Sequence, residues 1–161
     1  MVGAYKLSVR VKGLSYDLVL KSQVTVVKGN TATGKSYFVD LVEQYVREKG
    51  SCRSTIKVVS DFTDIGVVSN PKELDYVLKR MSGGLIIMDE SIIAYLYTQI
   101  PSIVLNSGNY FLLFTRLPLN RLPYSIVDVR EFDSNIVIEN EKSFTEVKFL
   151  PHISQEKIKK Y

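Results

Sequence analysis

A chain of 161 residues suffices for one domain, and such a domain buries roughly 70% of the surface its unfolded form exposes, so no disulfide or metal staple is needed. Hydrophobic residues at 45% and charged residues at 24% exclude disorder, collagen and coiled coil as descriptions of the whole chain. The single Cys52 and single His152 exclude a disulfide framework and a multi-cysteine zinc site, and a net charge of +4 permits a nucleic-acid partner without demanding one.

At the N-terminus, Tyr5, Leu7, Val9 and Val11 alternate with Lys6, Ser8, Arg10 and Lys12, the period of a strand. This stretch lacks the apolar core of a signal peptide. The longest apolar runs, 85–88 and 110–114, fall far short of the ~20 residues that span a bilayer, so a cytoplasmic protein with no membrane partner is expected. Gly13-Leu14-Ser15 turns the chain back into a second strand at 16–20, giving an antiparallel hairpin, and the apolar run 24–27 predicts a strand buried on both faces. Phe38, Leu41, Val42, Tyr45 and Val46 recur at helical spacing over 35–49, with Gly50 as a stop. Residues 56–59 predict a short strand ending at Ser60-Asp61. Asn70 and Pro71 then open a helix with Leu74, Val77, Leu78 and Met81 on its apolar face.

Ser82-Gly83-Gly84 ends that helix, and 85–88 is an apolar strand. Short helices are expected at 91–97 and 101–106, a strand at 110–114 and a proline-bearing loop at 117–122. Strands at 125–132, 135–139 and 145–149 follow, with turns at Asp133-Ser134 and Asn140-Glu141. Alternation of strand and helix in the middle of the chain predicts an α/β core with a parallel sheet.

One motif carries most of the chemistry. Gly29-Asn30-Thr31-Ala32-Thr33-Gly34-Lys35-Ser36 fits G-x-x-x-x-G-K-[ST], with an apolar strand before it and a helix after it. Two glycines let the backbone N–H groups converge on phosphate oxygens, and the helix start adds its partial positive charge. Lys35 would reach the β- and γ-phosphates, and Ser36 would offer its hydroxyl to Mg²⁺. Leu85-Ile86-Ile87-Met88-Asp89-Glu90 is an apolar strand ending in two carboxylates. Asp89 would hold Mg²⁺ and Glu90 would polarise the attacking water; the alternative is that the pair caps the helix after it. Thr115 and Arg116, at the end of the next strand, fit either γ-phosphate contacts or a solvated loop. Asp61 has the same strand-end argument and Arg121 a weaker one. Tyr5 and Tyr16 are candidates to stack on a base or to fill the core. Cys52, His152 and the lysines at 157, 159 and 160 carry no assigned role.

These motifs, in this order, resemble P-loop ATPases of the ABC/AAA-like group over roughly residues 5–125. The resemblance implies a P-loop NTPase three-layer sandwich, α/β, with a mostly parallel central sheet, an N-terminal antiparallel hairpin and a β-rich C-terminal addition over 126–161, all in one domain. It also implies ATP and Mg²⁺ as cofactors and a site completed by a protein partner or a homo-oligomer. Met81-Ser82-Gly83-Gly84 abuts the acidic strand and lacks the Gln of the Leu-Ser-Gly-Gly-Gln signature, and only 53 residues separate Lys35 from Asp89, too few for the helical insertion of ABC-type ATPases. An Asn-Lys-x-Asp guanine motif is missing, which favours adenine. The expected function is a Mg²⁺-dependent ATPase acting as a nucleotide switch. The alternatives are a small-molecule or nucleotide kinase, with Arg116 and Arg121 in a short lid, and a nucleotide-binding regulatory module without turnover. No nucleic-acid recognition motif is present.

Overall fold

The computed structural model describes residues 3–29, 34–48 and 55–150. The alternating N-terminal residues form β1 (Tyr5–Val11) and β2 (Leu14–Leu20), an antiparallel hairpin in which Leu7 faces Leu18 and Val9 faces Tyr16. β3 (Val24–Lys28) leads by way of the glycine loop to α1 (Lys35–Arg47). β4 (Lys57–Ser60) follows, then β5 (Ile65–Val68), which the apolar pattern did not reveal. Asn70 accepts a hydrogen bond from the Lys72 N–H and opens a single 3₁₀ turn at Pro71–Glu73, which runs into α2 (Leu74–Arg80). β6 (Leu85–Met88), α3 (Glu90–Tyr95), α4 (Ile100–Leu105) and β7 (Tyr110–Phe114) complete the middle of the chain. The last elements are β8 (Val127–Glu139) and β9 (Lys142–Phe149).

All nine strands join one sheet in the order β4-β1-β2-β9-β8-β3-β7-β6-β5. The expected three-layer sandwich around a mostly parallel sheet is not what forms. The sheet is mixed and strand-rich, and it curls into a half-barrel with few helices. Parallel pairing runs through β8-β3-β7-β6-β5 and a short contact between β2 and β9, whereas β4-β1-β2 and β9-β8 are antiparallel. The C-terminal strands are not an addition at the side. They sit in the middle of the order and join the two halves.

β8 is the reason for the curl. No turn forms at Asp133-Ser134; the strand runs through and changes partner there. Residues 127–131 pair with β3, and 132–139 pair with β9, the hairpin closing at Asn140 and Glu141, both at positive φ. The antiparallel half folds over α1 as a result. Phe38 of α1 is fully buried among Tyr16 of β2, Phe114 of β7 and Phe132 of β8, with ring centroids 5.0, 5.7 and 5.8 Å away. An aromatic cluster of this size contributes edge-to-face attraction beyond its area burial. The sheet therefore wraps α1 where a flat sandwich would have placed a separate helical layer.

The opposite face packs against α2, α3 and α4, which are only 7, 6 and 6 residues long. Val77 of α2, Ile92 and Ile93 of α3 and Ile100 and Val104 of α4 join Val24, Val26, Ile86, Met88, Phe111 and Leu113 of the sheet in a second apolar cluster. Gly66 of β5 lets α2 approach, because a Cβ there would lie 2.7 Å from the Met81 Sδ. Among the described residues no helix is long and apolar enough to cross a membrane.

Candidate functional site

Three neighbouring strands end side by side. Val27 of β3 is level with Phe114 of β7, and Leu113 of β7 is level with Met88 of β6. The residues that leave the sheet beyond these strands therefore lie along one edge: Gly29, Thr115 and Asp89. Carboxyl ends of parallel strands are where ligands of open α/β sheets bind.

Both described glycines of the motif have positive φ. Gly29 has φ 127° and Gly34 φ 82°, conformations that a side chain disfavours. Gly34 is the N-cap of α1, and its carbonyl accepts hydrogen bonds from the Phe38 N–H (3.1 Å) and from the Tyr16 hydroxyl (3.0 Å). A Cβ on Gly34 would lie 3.2 Å from that hydroxyl. Asn30, Thr31, Ala32 and Thr33 lie outside the described residues.

Lys35 occupies the first position of α1 and is 8% exposed. Its Nζ donates to the Gly29 carbonyl, so the side chain folds back to the first glycine of the motif. Burial lowers its pKa below the ordinary lysine value; Glu90 opposes that shift, Arg116 adds to it and Glu131 opposes it. Three charged side chains thus act on Lys35. Arg116 Nε donates to Glu90 Oε1 at 3.4 Å, and both side chains are largely solvent-exposed, so the pair is weakly held.

Asp89 caps α3: its Oδ1 accepts from the Ile92 N–H at 3.0 Å and from the Ser91 hydroxyl at 2.8 Å. The helix-cap alternative is thus realised for Asp89. Ser36 is exposed in the first turn of α1. A hydroxyl and a carboxylate are oxygen donors that suit Mg²⁺, which retains waters and phosphate oxygens for its other positions. Among the described residues no group of three or more His, Cys, Asp or Glu gathers, so a cation here would depend on the nucleotide for ligands. Thr115 is fully buried beside β3, its N–H donating to the Val27 carbonyl at 3.3 Å and its Oγ1 accepting from the Leu117 N–H at 3.0 Å.

Other candidates fall elsewhere. Asp61 directly follows β4, an edge strand antiparallel to β1 and separated from β3 by four strands in the sheet order; its carboxylate accepts from the Lys6 N–H at 2.8 Å. Arg121 is exposed and lines a separate cavity of about 180 Å³ with Tyr97 and Pro101. Tyr5, half-buried, stacks on Phe62 at 4.9 Å against the core, and Tyr16 is 1% exposed, so both serve packing. Cys52, His152 and the lysines at 157, 159 and 160 lie outside the described residues.

Glu131 escaped the sequence reading of the site, and Tyr16, a candidate for base stacking or for the core, contacts it in another way, through the Gly34 carbonyl. Glu131 reaches it only because β8 pairs with β3 and sets Glu131 level with Lys28. Tyr16 reaches it because the curl brings β2 over Gly34. No local signal marks either; both depend on long-range pairing. No protein-family model matches the chain, and no curated protein matches it.

Proposed function

We propose that the chain binds ATP with Mg²⁺ at the 29–36 loop, as a P-loop protein of ATPase type, and hydrolyses it as a nucleotide switch that works with a partner. One observation carries this reading: Gly29 and Gly34 both hold positive-φ backbone in the G-x-x-x-x-G-K-[ST] motif, and the buried Lys35 donates to the Gly29 carbonyl. A buried cation is costly unless something pairs with it, and a nucleotide's phosphates are what this loop chemistry accommodates.

In this reading the loop N–H groups and Lys35 bind the β- and γ-phosphates. Lys35 exchanges the Gly29 carbonyl for phosphate oxygens. Ser36 and Asp89 hold Mg²⁺, whose contribution is to neutralise phosphate charge. Glu90 orients the attacking water and accepts its proton once Arg116 turns from Glu90 toward the γ-phosphate. Thr115, fully buried at the end of β7, accepts from the Leu117 N–H and so fixes the backbone that carries Arg116.

The test is binding and turnover of Mg²⁺-ATP by wild type, Lys35→Ala and Glu90→Gln. Lys35→Ala loses binding, and Glu90→Gln binds but turns over at least about 100-fold more slowly, the lower end of what a positioned general base contributes. ATP bound equally by wild type and Lys35→Ala would overturn the reading. Binding by all three without turnover would leave the regulatory alternative, and phosphate passed to an added acceptor would point to the kinase.

A further inference from the structure

β4 ends the sheet on one side, and among the described residues no strand lies beyond it. Its ladder to β1 fixes which backbone groups face outward. The Asp61 N–H donates to the Lys6 carbonyl at 3.0 Å, continuing the register that sets Ser60 against Leu7 and Val59 against Ser8. Bonds to one neighbour recur at alternate residues of an antiparallel strand. Lys57, Val59 and Asp61 therefore turn their N–H and C=O groups to β1, and Val58 and Ser60 turn theirs to the open edge. An edge row of this kind is a template for another strand.

The side chains divide in the same rhythm. Val58 packs against the core, whereas Lys57, Val59 and Asp61 lie along the groove on the outer face of β1 and β2. Val59 is 73% exposed. Lys57 stands opposite Arg10, a like charge, and Arg10 is paired with Asp17 at 3.6 Å. Among the described residues neither Lys57 nor Asp61 makes an ion pair. Asp61 Oδ2 accepts from the Lys6 N–H, a neutral donor, so the carboxylate keeps its charge and its other oxygen. A lysine on an edge strand ordinarily blunts it against strand addition; this edge carries the matching anion as well.

We propose that β4 pairs with β4 of a second copy of this chain, antiparallel about a two-fold axis at Val59. Outward groups bond to outward groups, so Val58 and Ser60 of one copy must meet Val58 and Ser60 of the other. A pair centred on Val58 sets Lys57 against the partner's Val59, and one centred on Ser60 sets Val59 against the partner's Asp61. The pair centred on Val59 joins the Val58 N–H and C=O to the partner's Ser60 and sets Lys57 against the partner's Asp61 on both sides of the axis. Val59 then faces the partner's Val59 at a non-hydrogen-bonded position, where Cα atoms approach to about 4.5 Å. Opposite charges and β-branched residues stabilise facing positions, so charge selects this register. The surface is self-complementary, as a two-fold contact requires.

Contacts well under about 1,000 Å² are weak, so a disulfide trap on the full chain, with Cys52→Ser as background, is the test. Val59→Cys is oxidised beside Ile138→Cys, a similarly exposed position away from β4 that reads random encounter. Val59→Cys forms the cross-linked dimer far faster. Adding Lys57→Asp or Asp61→Lys sets like charges face to face and loses that gain. An equal mixture of these two charge variants regains it, because both facing pairs are opposite in sign again. Val58→Pro deletes an outward N–H and no bond to β1, so it also loses the gain while keeping a native circular dichroism melt. Val59→Cys no faster than Ile138→Cys overturns the proposal, as does cross-linking that survives Lys57→Asp or Val58→Pro, or a mixture of folded charge variants that regains nothing. β4 is separated from β3 by four strands, and none of these residues is assigned to ATP, so this outcome and that of the nucleotide reading are scored separately.

Discussion

Gly34 shows how little freedom the loop end has. At φ 82° with a hydroxyl 3.2 Å from any added Cβ, Gly34→Ala is strained by both backbone and contact. It is expected to cost about 1–2 kcal/mol from the left-handed backbone alone and to weaken nucleotide binding; a thermal melt and an ATP titration check the two effects separately. Tyr16 holds the same point from the other side. Burial, then the charge of Tyr37, pushes its hydroxyl up to about 12, so the phenol stays protonated and keeps donating to Gly34. Because the folded state favours the protonated form, this contribution is complete below the ordinary tyrosine value of 10.0 and fades as pH rises toward about 12. Tyr16→Phe should cost about 1 kcal/mol and flatten that alkaline fall in a pH series of denaturant melts.

Lys35 gives a pH dependence of its own. Its pKa is lowered by burial, and phosphate binding needs the charged form, so ATP affinity should decline on the alkaline side before an ordinary lysine would lose its proton. A titration of affinity against pH, with Mg²⁺ held saturating, checks the direction. At this scale the sequence was informative wherever a residue type is forced by local geometry. Gly29 and Gly34 are glycines because their φ values exclude other residues, and Lys35 follows from the motif spacing. Glu131 was invisible because its place beside Lys28 comes from strand pairing across about a hundred residues of sequence, not from anything near it.

Elements with a strong period were legible. α1 follows its apolar stripe, β6 and β7 their unbroken apolar runs, and Asn70 caps its turn with the side chain expected of it. β5 was not legible, since four residues with Gly66 among them have no alternation to detect, and Gly66 is there for the approach of α2. The polar stretch Asp133-Ser134-Asn135 has the composition of a turn, yet Asp133 pairs with Lys148 and Ser134 with Val147, so cross-strand bonding overrides local preference. Phe38 is the contact that holds α1 inside the curl. Phe38→Ala should cost about 3–5 kcal/mol, as for other buried Phe truncations, and a denaturant midpoint shift at unchanged slope checks it.

At the scale of the whole molecule, the order of strands is what the sequence could not supply. Period and motif describe stretches of chain, whereas the half-barrel depends on β9 inserting between β2 and β8, a pairing between the two ends of the chain. The curl carries Tyr16 to Gly34, so the N-terminal hairpin supports one end of the loop proposed to bind nucleotide. The central claim is that this loop binds ATP through Lys35. Calorimetric titration of Mg²⁺-ATP into wild type and into Lys35→Ala, both with native circular dichroism melts, addresses it most directly. Saturable binding by wild type that disappears in Lys35→Ala is the expected result; equal binding by both, or none by wild type, contradicts it.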